Sequence, residues 1–116
     1  AFILRGDRVL VERRDADDEH SPGAYRFPAG HVEPGETLEA ALRREVREEL
    51  DREVAAARPM GRLQFTGADG VHRTLHYFLT QLDADPDENP RLAWFSRDDR
   101  HRMEYPGDRD FIEELL

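Results

Sequence analysis

The 116-residue chain has no cysteine and no lysine. Without thiols it can form neither disulfides nor thiolate metal sites, which leaves oxygen or imidazole donors as its only metal ligands. A metal held by such donors should be hard: magnesium, with manganese as the alternative. All 17 lysine-plus-arginine positions are arginine, against 26 acidic residues, for a formal net charge of −9. The chain therefore lacks the basic footprint that a long nucleic acid demands, although a small phosphorylated ligand can bind if a cation bridges the like charges. A lysine-free acidic surface suits concentrated salt, and a GC-rich genome produces the same bias, so the two accounts stand level. No apolar run approaches the roughly 20 residues of a membrane span and no signal segment is visible. The expected setting is cytoplasmic, with no membrane partner.

The length and the recurring apolar clusters fit one folded domain over 1–116. The chain opens abruptly on AFIL, as if a few N-terminal residues were missing. Phe2–Leu4 and Val9–Val11 read as short strands around a Gly6-Asp7 turn. A polar loop is expected from Asp15, then a brief strand-like step in YRFPAG closed by Pro28 and Gly30. A helix follows, with Thr37 as N-cap, an end near Asp51 and an apolar stripe of Leu38, Ala41, Leu42, Val46 and Leu50. GRLQF, TLHYFLTQL and LAWF read as strands. YPGDRDFIEELL closes the chain as a short helix capped by Asp108 or Asp110. This order of strands, helix, strands and helix implies an α/β sandwich with helices covering a mixed sheet.

The first helix is unusually acidic, which most often means a solvated face. At about 100° per residue, however, Glu45, Glu48 and Glu49 share an arc of about 100° that overlaps the edge of the apolar stripe. Carboxylates crowded against a buried side repel one another and lose hydration. A divalent cation resolves both costs. Magnesium takes one or two carboxylates together with substrate phosphates.

The stretch GHVEPGETLEAALRREVREELDR resembles the Nudix box: glycine, five residues, glutamate, seven residues, then R-E-apolar-x-E-E-x-G-apolar. Gly30, Glu36, Arg44, Glu45, Val46, Glu48 and Glu49 fall on that pattern. Asp51 stands where the family has glycine and Arg52 where it has an apolar residue. Since the glycine ends the helix in a left-handed turn, a slightly altered helix end is expected. The looser resemblance extends over the opening hairpin, the FPAG approach and an acidic loop before a Trp-containing strand. It implies a Nudix-type α/β/α sandwich with a mixed β-sheet and magnesium-dependent hydrolysis of a diphosphate-linked nucleotide.

By the same resemblance, Glu48 and Glu49 hold the metal, with Glu45 as a further ligand or water-activating base and the carbonyl of Ala29 or Gly30 completing the shell. Arg44 and Glu36 pair to brace the box loop, and Glu33 touches either solvent, the preferred reading, or the metal. Glu88, six residues before Trp94, resembles a loop acid that supplies a metal contact or the general base. Asp108 resembles a position that meets the purine edge, with a plain N-cap as the alternative. Phe27 and His76 are the remaining candidates for substrate contact. The alternating Asp83, Asp85 and Asp87 do not make a calcium loop, because Glu88 and Trp94 stand where that loop needs glycine and glutamate.

The expected substrate is a small nucleotide, foremost a nucleoside triphosphate cut to monophosphate and pyrophosphate. An ADP-ribose or dinucleotide pyrophosphatase is the rival within enzymes; the proline that marks ADP-ribose specificity some sixteen residues after the box is absent, Pro59 coming too early. A non-catalytic nucleotide-binding module is the rival outside them, and the intact box acids argue against it. A homodimer is compatible with the sequence.

Overall fold

The computed structural model describes residues 1–13 and 24–116. The polar loop expected from Asp15 lies almost wholly outside them. In order, the elements are β1 (Leu4–Arg5), β2 (Arg8–Arg13), β3 (Tyr25–Arg26), α1 (Leu38–Leu50), β4 (Val54–Thr66), β5 (His72–Leu82), β6 (Leu92–Phe95), a 3-10 turn (Arg97–Arg102) and α2 (Pro106–Leu115).

β2 is the central strand of one antiparallel sheet. β1 and β3 pair with its two ends, Leu4 opposite Val9 and Arg26 opposite Glu12, while β6 runs along the other edge with Trp94 opposite Leu10. β4 and β5 form a long antiparallel hairpin. A parallel bridge joins the two sheets, since Phe2 N–H donates to the Phe78 carbonyl and Thr80 N–H to the Phe2 carbonyl, each at 2.8 Å. That bridge makes the whole arrangement mixed.

The alternation of β2 explains the layering. Side chains of a strand alternate between faces, so Val9 and Val11 enter one core with Phe2, Phe27, Tyr77 and the α2 residue Ile112. Leu10 enters the other, with Leu42, Val46 and Leu50 of α1. Helices thus cover both faces, giving the α/β/α sandwich. Each buried aliphatic side chain at these contacts contributes about 1.5–3 kcal/mol through apolar burial. Leu38 departs from the expected stripe: it opens the helix and remains exposed.

Thr37 caps α1, its Oγ1 accepting from Ala40 N–H at 3.1 Å. At the other end Asp51 adopts φ 53 and ψ 45, and its N–H donates to the Arg47 carbonyl at 3.2 Å. The left-handed helix end is therefore kept without glycine, and the altered end expected from the Asp51 departure does not occur. A short polar side chain tolerates this backbone better than most, yet glycine fits it without strain. Asp51→Gly should raise stability by about 0.5–1 kcal/mol in chemical denaturation; a loss of stability would show that Asp51 makes compensating contacts.

Two elements differ from the sequence expectations. β4 begins at Val54 rather than near Gly61, through an alanine-rich stretch containing Pro59. Proline is tolerated there because, among the described residues, β4 pairs with β5 alone, and the register shifts between Pro59 and Gly61. α2 begins at Pro106, after Tyr105, so neither Asp108 nor Asp110 is its cap. Proline at the first helical position is well placed, since its missing N–H would have had no partner there.

Candidate active site

The box folds as a loop closed onto its own helix. Glu33 and Glu36 brace the turn between them, with Glu36 N–H donating to the Glu33 carbonyl at 3.0 Å and Glu33 N–H to the Glu36 carboxylate at 2.8 Å. Arg44 grips that carboxylate with two donors, Nε at 2.8 Å and Nη2 at 3.0 Å. Nη2 also reaches the His31 carbonyl at 2.7 Å. Nη1 turns to the helix acids, 2.8 Å from Glu45 and 3.3 Å from Glu48, with Glu33 at 3.8 Å. Bidentate, charge-assisted contacts of this kind fix geometry as well as adding energy. The hydrogen bond from Arg44 is the main cause holding the Glu36 carboxyl below its usual range, helped by the Glu33 N–H. Glu36 in turn holds the Arg44 proton more firmly.

Glu45 is the helix acid pressed furthest inward, its side chain 16% exposed against 59% for Glu48. Its carboxylate lies so close to Gly30 that a Cβ there would overlap it. A larger residue at position 30 would push the Glu45 carboxylate aside, and glycine there lets the backbone of the box entry lie directly against it. Glu48 and Glu49 are more exposed than the helical wheel alone suggested.

An acid that the motif did not indicate stands opposite them. Glu12, on β2, is buried, and its Oε1 accepts from Arg26 Nε at 3.0 Å. Its carboxylate also faces that of Glu49, close enough for the two charges to repel. Loss of hydration, followed by the Glu12 and Glu45 charges, pushes the Glu49 carboxyl up to about 8, with Arg26 opposing. Glu49 nonetheless keeps an exposed surface, so water moderates the first cause, and the neighbouring carboxylates are the more durable one. The signal for Glu12 was present in the alternation of RVLVER, which puts position 12 on the same face as Leu10, toward α1.

Among the described residues no three acids or histidines are drawn together as a ready-made cation cage. Glu45 and Glu48 are instead both engaged by Arg44. Magnesium does not require such a cage, because it keeps several waters and takes only one or two carboxylates alongside phosphate oxygens. The all-oxygen donor set, the close approach of Gly30 to Glu45 and the excess negative charge around Glu49 all fit a divalent cation.

The substrate candidates scatter. Phe27 is buried in the core, edge-on to Phe2 at 5.1 Å and to Tyr77 at 6.3 Å between ring centroids. Asp108 is only 3% exposed, accepting from Tyr77 Oη at 2.8 Å and from the Phe27 N–H. Burial pushes it up to about 6, although those two hydrogen bonds oppose the rise. Burial, with Asp108 beside it, also pushes Tyr77 up. His76 is exposed on β5, and Glu88 is exposed on the loop before β6. No described contact joins Glu88 to the helix acids. Ala29 precedes Gly30 in the box entry and is half-buried.

Residues 1–115 match the NUDIX domain family. A putative 8-oxo-dGTP diphosphatase 2 of Mycobacterium tuberculosis is 33% identical over 117 residues, covering 97% of this chain and 82% of that protein. The nucleoside triphosphatase NudI of an Enterobacter species is 34% identical over 118 residues, 89% of this chain and 83% of NudI. An NAD-capped RNA hydrolase NudC of Pseudomonas aeruginosa is 35% identical over 84% of this chain, which spans only 34% of that relative's length. Among solved structures, a MutT NUDIX hydrolase from Burkholderia pseudomallei superposes with a TM-score of 0.77 at 26% identity, covering 99% of this chain and 93% of that one. The E. coli ORF135 protein gives the same TM-score at 27% identity, covering 97% and 81%.

Proposed function

Because the chain belongs to the Nudix family, we propose that it hydrolyses the diphosphate linkage of a small nucleotide, taking a nucleoside triphosphate to the monophosphate and pyrophosphate. The observation that carries this reading is the braced box, in which Arg44 ties Glu36 in the loop to Glu45 and Glu48 on the helix. A module that only bound nucleotides would have no need of that geometry with every acid retained. The triphosphate is preferred because the relatives named for triphosphate substrates match over 82% and 83% of their own lengths, whereas the NudC relative matches over 34%.

Glu45, Glu48 and Glu49 would hold magnesium, with manganese as the alternative, and the Ala29 or Gly30 carbonyl would add to the shell. When bound, the cation supplies charge neutralisation at the diphosphate oxygens. Water is the nucleophile: its oxygen attacks phosphorus, the anhydride P–O bond breaks, and pyrophosphate leaves. The proton released passes to a carboxylate oxygen of Glu49, Glu45 or Glu88. Glu36 and Arg44 contribute by keeping the box entry against α1. The reading routes the reaction through water rather than a side chain: cysteine is absent and the Ser96 hydroxyl donates to Asp99.

A panel of nucleoside triphosphates, ADP-ribose and dinucleotides, each assayed with and without magnesium, tests the reading. Release of pyrophosphate from a triphosphate, abolished by chelation, is expected. Cleavage confined to ADP-ribose or a dinucleotide would move the substrate, and binding without cleavage of any nucleotide would leave a binding module.

A further inference from the structure

Asp51 and Arg52 are the two positions at which the chain leaves the Nudix pattern, and Arg52 joins the end of α1 to the loop between β5 and β6. Its Nε donates to the Asp85 carbonyl at 2.9 Å, Nη2 to the Asp87 carboxylate at 2.9 Å, and Nη1 to the Asp51 carbonyl at 2.8 Å. The adjacent residue adds a second tie: Asp83 N–H donates to the Glu53 carbonyl at 3.0 Å, and Glu53 N–H to the Asp83 carboxylate at 3.2 Å. The first half of the loop between β5 and β6 is thus fixed to the segment that ends α1, one turn beyond Glu48 and Glu49.

The second half is fixed at a different place. Leu92 N–H donates to the Asn89 carbonyl at 2.9 Å, closing a turn, and Arg13 N–H donates to the Arg91 carbonyl at 2.7 Å. Leu92 pairs with Glu12, the strand acid that meets Glu49. The loop therefore runs from the end of the acidic helix to the strand acid opposite it, and Glu88 lies between the two anchors. An exposed glutamate on an untethered loop would spread over many positions, and ordering it would cost conformational entropy. An apolar residue at position 52 could make none of the three Arg52 contacts.

We propose that Arg52 is a positioning residue: by pinning Asp85 and Asp87 it holds the loop so that the Glu88 carboxylate serves the helix acids. This rests on the hydrolytic reading above and takes Glu88, one of the three carboxylates named there, as the acceptor of the attacking water's proton. Arg52→Leu should lower kcat about ten-fold while KM moves less than about two-fold, and amide exchange across residues 84 to 88 should accelerate. Arg52→Lys, which can keep one contact, should recover part of the loss. Glu88→Gln should lower kcat about a hundred-fold, and adding Arg52→Leu to it should cost nothing more. Equal ten-fold losses in both backgrounds, or faster loop exchange with unchanged kcat, would reduce Arg52 to a structural contact and overturn the inference. A wild-type protein that cleaves no diphosphate overturns the functional reading and this inference together, whereas an active wild type indifferent to Arg52→Leu overturns the inference alone.

Discussion

Glu49→Gln is expected to lower kcat by about 10²- to 10⁴-fold while leaving a cooperatively folded protein. The substitution preserves shape and removes one charge from a group of carboxylates that includes Glu12 and Glu45. Loss of the charge should also weaken the thermal stabilisation conferred by magnesium or manganese, because the cation binds the native state through these oxygens. Without added metal the melting temperature should hold or rise at pH above about 8, where Glu49 is ionised and the substitution relieves the like-charge repulsion around it. Steady-state kinetics on the best wild-type substrate and melts with and without metal check both statements. Near wild-type turnover in Glu49→Gln would remove the helix acids from the chemistry.

The second large effect concerns Asp108. Its carboxyl is raised from 3.8 to about 6, chiefly by burial. A group whose folded pKa lies above its unfolded value contributes stability that is fully present below the unfolded pKa and lost as pH rises through the folded one. Wild type should therefore lose stability, relative to Asp108→Asn, as pH rises from about 4 to 7. Across that window the difference should grow to roughly 3 kcal/mol. The comparison with Asn cancels the titration of other acids common to both proteins. Chemical denaturation at several pH values measures it, and a difference that stays flat would mean that the Asp108 carboxyl is solvated. A solvated Asp108 is what direct contact with a purine edge requires, and its replacement by alanine would then raise KM selectively for purine nucleotides. The buried pair with Tyr77 instead makes Asp108 a link between α2, β5 and the strand that leads into the box.

The elements written in local pattern were legible without coordinates. Thr37 ahead of a three-and-four apolar spacing defines α1; Gly30 and Glu36 follow from motif spacing, and Arg44, Glu45, Glu48 and Glu49 share a side of the helix because it repeats every 3.6 residues. β4 was only partly legible: alanine and Pro59 argue against a strand, and only pairing with β5 at a sheet edge overrides that local preference. The cap of α2 was misread for a related reason. Aspartate is a good cap in isolation, but Pro106 starts the helix early and Asp108 is drawn inward by Tyr77 and the Phe27 N–H.

What the sequence determined by itself was the chemistry available to the chain: hard oxygen ligands, an acidic helix face and no thiol, all consequences of residue identity and short-range periodicity. The tertiary structure decided which of those groups meet. Glu12 is 37 positions from Glu49 in the chain, and Arg52 reaches Asp85 and Asp87 across a gap of more than thirty residues. Contacts of that separation depend on how β2 is sandwiched between two helices and how β5 returns past the end of α1. Neither period 2 nor period 3.6 extends far enough along a chain to encode them, because local patterns specify which face a side chain takes and the packing of distant elements specifies what it finds there.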